Sequence, residues 1–85
     1  MNITIDVPVY DPANGFQYKW EDNFRISTSV NEGAIQISAN KEGLISLARH
    51  LLCLAQIENG YHLHLDADNS LEEGSVELIL VKEVE

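Results

Sequence analysis

The sequence predicts an α+β fold: a four- to five-stranded, mainly antiparallel sheet with one amphipathic helix, about residues 41–58, packed on one face. Three observations carry this prediction. A helical apolar period runs through residues 44–55, between an asparagine suited to N-capping and an Asn-Gly stop. Period-2 alternation recurs on both sides of it. Finally, Asn31-Glu32-Gly33 separates two alternating runs, the signature of a hairpin.

The elements follow in chain order. Ile3, Ile5, Val7 and Val9 alternate with Thr4, Asp6 and Pro8, as in a strand with one buried face, and Pro8 ends that strand or keeps it at an edge. Asp11-Pro12-Ala13-Asn14-Gly15 is turn chemistry. Phe16, Tyr18 and Trp20 then alternate with Gln17 and Lys19 in a short strand or an ordered loop, and at least two of these aromatics are expected in the core.

Residues 24–30 and 34–39 form the expected hairpin, joined by a three-residue connection with Gly33 at positive φ. Phe24, Ile26, Thr28 and Val30 share one face with Ile35, Ile37 and Ala39, and that face is expected in the core. Asn40 is a good N-cap, Glu42 suits the first-turn dipole, and Asn59-Gly60 supplies a stop. On the helical wheel Leu44, Ile45, Leu47, Ala48, Leu51, Leu52, Leu54 and Ala55 take one half. Glu42, Ser46, Arg49, His50, Cys53 and Gln56 take the other, which is expected to face solvent. Tyr61, Leu63 and Leu65 alternate with His62, His64 and Asp66 in a further strand. An acidic loop leads to residues 75–82, whose near-continuous apolar run suggests a central strand with both faces partly covered.

At 85 residues, 45% hydrophobic and 22% charged, the chain is read as one globular domain spanning 1–85. The opening residues show no basic stretch followed by an apolar one, and Cys53 is the only cysteine, so a cytoplasmic setting is expected. The net charge is −9 and unevenly placed: residues 1–57 carry six acids and four bases, whereas residues 58–85 carry eight acids and only Lys82. Such a field disfavours nucleic acid and anionic membranes as partners and favours a basic partner or a cation.

Several constellations have the residue types of a chemical site. His62, His64 and Asp66 project from the same strand face at i, i+2 and i+4, geometry that a divalent metal can use, although a polar solvent face gives the same pattern. Asp66, Asp68, Ser70, Glu72 and Glu77 match a calcium-loop count but carry Leu71 where the loop needs glycine, between strands instead of helices. His50 and Cys53 lie three apart on the helix with nothing to orient them as a nucleophile and base. Phosphate-cradling glycine loops and a nucleophile elbow are absent from the sequence. Composition and spacing thus imply no enzyme and no cofactor. They favour a binding protein over a metal- or ligand-binding regulatory domain on the His62, His64 and Asp66 face, or a homodimeric structural protein.

Three stretches together are more specific: the helix start Asn40-Lys41-Glu42-Gly43-Leu44, the strand end His62-Leu63-His64-Leu65-Asp66, and the strand start Gly74-Ser75-Val76-Glu77-Leu78. In combination they resemble the immunity protein 32 family of bacterial polymorphic toxin systems, over residues 33–82. That resemblance implies a small α+β antitoxin that binds a cognate protein toxin in the producing cell. It implies no particular binding residues. From charge, Asp66, Asp68, Glu72, Glu73 and Glu77 are expected to steer a basic toxin, with His62 and His64 as a second contact and a homodimer as a further option.

Overall fold

The computed structural model describes residues 2–58 and 60–84. Five elements follow one another: β1 (Ile26–Asn31), β2 (Ala34–Ala39), α1 (Lys41–Ala55), β3 (Tyr61–Leu65) and β4 (Leu78–Lys82). The fold is α+β, but the strands form two antiparallel two-stranded sheets, β1–β2 and β3–β4, where one sheet of four or five strands was expected. Residues 72–76 connect them in place of further pairing. The Glu72 amide donates to the Ile26 carbonyl at 2.8 Å, the Val76 amide donates to the Thr28 carbonyl at 3.3 Å, and the Thr28 amide donates to Ser75 Oγ at 3.1 Å. The expected strand 75–82 therefore begins only at Leu78, because its first residues line the free edge of β1. Only one face of β4 is covered: Ile79 and Val81 are exposed, and Leu78 and Leu80 turn inward.

The β1–β2 register pairs Ile26 with Ala39, Thr28 with Ile37 and Val30 with Ile35, so the expected apolar face forms. Core contact stops halfway along it, since Ile26 is fully buried while Val30, Ile35 and Ile37 are exposed. Asn31 pairs with Ala34, leaving a two-residue turn in which Glu32 and Gly33 both take positive φ, 51° and 80°. The connection is thus one residue tighter than expected and matches the twist of the strands.

Asn40 caps α1 by accepting from the Gly43 amide at 2.8 Å. It also accepts from the Arg25 amide and donates to the Asn23 carbonyl, tying the helix start to the chain before β1. Gly43 allows the close approach, since a Cβ there would press on the Arg25 carbonyl oxygen and sit 2.9 Å from Ile26 Cγ1. The helix ends at Ala55 with Gln56 as C-cap, short of the expected 58, and Asn59 of the expected Asn-Gly stop lies outside the described residues.

Two apolar clusters make the core. Ile26, Leu47, Leu65 and Leu71 form one, with Trp20, Phe24, Ala39, Leu78 and Leu80 against it; Leu54, Ile57 and Leu63 form the other, with Tyr10, Phe16, Tyr61 and Leu80. Phe16 and Trp20 are accordingly core residues, whereas Tyr18 is half-exposed.

The main departure from expectation is the orientation of α1. Ser46, Arg49, His50 and Cys53, read as its solvent face, are buried, while Leu44, Ala48, Leu51, Leu52 and Ala55 are exposed. Only Leu47 and Leu54 of the expected apolar half reach the core clusters. The cause is the segment 6–21, here termed the strap, which lies along the polar side of the helix.

The strap contains no strand. Residues 3–9, expected as one, find no neighbouring strand edge, and Ile3 and Val9 are exposed. The strap turns where expected, with the Asn14 and Gly15 amides donating to the Asp11 carbonyl and Gly15 at φ 71°. Helix side chains supply its backbone partners. Gln56 accepts from the Tyr10 amide and donates to the Pro8 carbonyl. Arg49 donates to the carbonyls of Asp6 and Lys19 and pairs with Glu21 at 3.0 Å. His50 Nε2 accepts from the Lys19 amide, and Ser46 Oγ accepts from the Glu21 amide. Burying Ser46, Arg49 and His50 is costly unless they are bonded, and these bonds give each of them a partner, leaving His50 Nδ1 as the one buried side-chain nitrogen or oxygen among the described residues without a hydrogen bond. Among the described residues no helix is long and apolar enough to cross a membrane.

Candidate functional site

The β3–β4 hairpin places the acidic connection, residues 66–77, at one end of a two-stranded ladder. Its register pairs His62 with Val81 and His64 with Ile79, and because side chains alternate, these four form the outer face while Leu63, Leu65, Leu78 and Leu80 face the core. The two imidazoles meet edge to face with centroids 4.9 Å apart, and His64 Nδ1 lies 3.1 Å from Glu77 Oε2. Both partners of that pair are about half-exposed, so it is a weak surface contact that strengthens when His64 is protonated.

Asp66 has a different role from its acidic neighbours. Its Oδ1 accepts from the amides of Asp68 and Asn69, and its carbonyl accepts from the amides of Ser70 and Leu71. Asn69 reciprocates, accepting from the Asp66 amide and donating to the His64 carbonyl. Asp66 and Asn69 therefore build the turn, and Leu71, at the position where a calcium loop needs glycine, is buried in the core. Asp68, Glu72, Glu73 and Glu77 are exposed beyond it. Because Glu72 and Val76 donate to β1, these carboxylates are displayed on a pinned backbone.

Of the grouping His62, His64 and Asp66, the two imidazoles share the outer strand face whereas the Asp66 carboxylate is turned to backbone amides, and among the described residues no group of three or more His, Cys, Asp or Glu is arranged to hold a metal ion.

His50 and Cys53, expected on an exposed helix face, are both buried and both serve the strap. Burial, reinforced by the neighbouring Arg49 cation, pushes the His50 imidazolium pKa down to about 4, which keeps the ring neutral and its Nε2 able to accept from Lys19. Burial pushes the Cys53 thiol up, away from the thiolate that a nucleophile requires.

Next to the acidic connection is a cleft of about 240 Å³ lined by Tyr18, Trp20, His64, Leu65, Asn69 and Ser70. Tyr18 and Trp20 stack with centroids 6.1 Å apart. The sequence carries no signal that places these aromatics beside His64, since the strap's path depends on the turned helix. The arrangement sets exposed carboxylates on a pinned backbone beside an aromatic-walled recess.

No curated protein and no solved structure matches the chain. The family model described as Immunity protein 32 matches residues 34–83, from β2 through β4, which is more than half of the chain. That span contains the Asn40 cap with Gly43, the histidine-bearing strand and the acidic connection, and the chain belongs to the Immunity protein 32 family.

Proposed function

We propose that the protein neutralises a cognate, basic toxin in the cytoplasm of the producing cell by binding it directly and occluding its active site. Asp68, Glu72, Glu73 and Glu77 steer the encounter, and His62 and His64 on the adjoining strand face make a second contact. Asp66 contributes its charge and holds the turn. Membership of an immunity-protein family supports a toxin as partner. The observation that carries the choice of surface is the row of exposed carboxylates held by main-chain bonds to β1. Charges already fixed in place attract a basic partner at long range without being ordered first, which raises the association rate more than it slows dissociation.

The test is stopped-flow association with the toxin encoded beside this chain, comparing the wild type with a variant carrying Asp68→Lys, Glu72→Lys, Glu73→Lys and Glu77→Lys. The association rate is expected to fall by roughly 10- to 100-fold at low ionic strength and to lose most of its salt dependence. An unchanged rate and salt slope in the folded variant would rule out this surface.

A further inference from the structure

We infer that the outward face of α1 is a self-complementary surface that pairs with the same face of a second copy of this chain, the two helices antiparallel about a two-fold axis. The exposed stripe is Leu44, Ala48, Leu51 and Ala55, with Lys41 one turn before it and Leu52 at its flank. Its spacing of four, three and four residues is that of a helix-pairing seam. An axis passing between Arg49 and His50 sets Leu44 opposite Ala55 of the second copy and Ala48 opposite Leu51, so every leucine meets an alanine and the helices can approach closely. The same axis brings Lys41 toward the exposed Glu58 that follows the other helix, and it aligns the helix dipoles favourably. Parallel pairing in register would instead stack leucine on leucine and Lys41 on Lys41.

Charge separates a second copy from a basic toxin as the occupant. In a chain of net charge −9, two copies repel over most of their surfaces. Residues 43–57 contain no acid, and their one charged residue, Arg49, is buried. The outer face of α1 is therefore where self-association is least opposed and where a basic partner is least attracted. A helix of 15 residues is only about 22 Å long, so pairing through α1 alone covers less than the ~800 Å² per partner of a stable complex, and the dimer should dissociate on dilution.

Sedimentation equilibrium on the full chain tests this, from about 10 µM to about 1 mM, a range that brackets the affinity expected of a small interface. The mass should rise from one chain to two. Leu51→Glu, and separately Ala48→Glu, should hold the chain monomeric at the highest concentration with an unchanged far-ultraviolet circular dichroism spectrum. Lys41→Glu should weaken the dimer, and Lys41→Glu combined with Glu58→Lys should restore it. A wild type that stays monomeric throughout overturns the inference, as does a folded Ala48→Glu variant that still dimerises. Failure of the charge swap to restore the dimer overturns the antiparallel arrangement. If the wild type is monomeric and Leu51→Glu abolishes toxin binding instead, the face belongs to the toxin and the second copy is ruled out.

Discussion

The strap and the β3–β4 hairpin both run extended past the cluster of Leu54, Ile57 and Leu63, yet their backbones are satisfied by different partners. In the hairpin, one strand's amides and carbonyls bond to the other's, from the Tyr61–Lys82 pair to the Leu65–Leu78 pair. In the strap, the partners are Ser46, Arg49, His50 and Gln56, each projecting from α1 to an amide or carbonyl of residues 6–21. A ladder built from main chain leaves the outward side chains free to vary or to take up function. A segment held by side chains loses a backbone anchor with each substitution. The difference predicts stability centred on the polar face of α1 and function displayed around β3 and β4.

Arg49→Ala should show the contrast most strongly. It removes donors to the Asp6 and Lys19 carbonyls, removes the partner of Glu21, and leaves a void where a nearly buried guanidinium had been. The expected loss is about 3 kcal/mol in urea unfolding, whereas His62→Ala on the outer face of β3 should cost under about 0.5 kcal/mol. Equal losses at the two sites would erase the distinction.

Acid should act next, and through the strap. The neutral form of His50 accepts from the Lys19 amide, and its folded pKa of about 4 lies below the ordinary 6.5. A depressed pKa means that the unfolded chain binds the proton more readily. Stability is therefore fully present above about pH 6.5 and falls progressively as pH drops toward 4, by on the order of 2 kcal/mol. Thermal melts across that range should show the decline, and His50→Gln should flatten it. Asp6, whose carboxyl is held below its usual range by hydrogen bonding and charge from Lys19, titrates below this window, and its contribution is lost only at still lower pH.

These two residues also mark where reading the sequence stops. The bounds of β2 and β3, the Asn40 cap and the Asp11–Gly15 turn are all legible, because each depends on local alternation, a capping side chain or a residue suited to a turn. Which face of α1 is buried is not. The apolar period marks where the hydrophobic half lies, but Ser46, Arg49 and His50 become buried partners, and Gln56 an exposed one, only because a strandless segment 25 to 48 residues away in sequence needs donors and acceptors. The strand expected at residues 3–9 fails for the same reason: alternation there reports a preference for extended backbone, not the presence of a strand edge to pair with. Within the acidic connection the residue types are legible as turn and charge together, and the division between them appears only once Asp66 is seen accepting two amides.

Gln56→Ala should give a smaller effect of the same kind. The Gln56 amide mimics a backbone unit, accepting from Tyr10 and donating to Pro8, which has no N–H of its own to offer a strand. The site is exposed, so water replaces both bonds on truncation, and about 1 kcal/mol is expected. Limited proteolysis should then cut the strap near Tyr10 faster than in the wild type, while the β3–β4 hairpin keeps its protection. Accelerated cleavage in both regions would mean that strap and hairpin open together.

The finest comparison lies inside the acidic connection, between two aspartates two residues apart. Asp66→Ala removes the acceptor for the Asp68 and Asn69 amides and should cost about 1 kcal/mol, since the turn it closes also positions the buried Leu71. Asp68→Ala removes only an exposed carboxylate, so stability should stay within about 0.5 kcal/mol of the wild type. Association with a basic partner should order the pair differently. Both substitutions remove one negative charge and should slow the encounter by a similar small factor in low salt, but Asp66→Ala should also loosen the backbone that displays Glu72 and Glu73 and so raise the dissociation rate. Asp66→Asn keeps an oxygen acceptor without the charge. It should recover the stability and the slow dissociation while leaving the association rate reduced, which separates the residue's work in the turn from its share of the field.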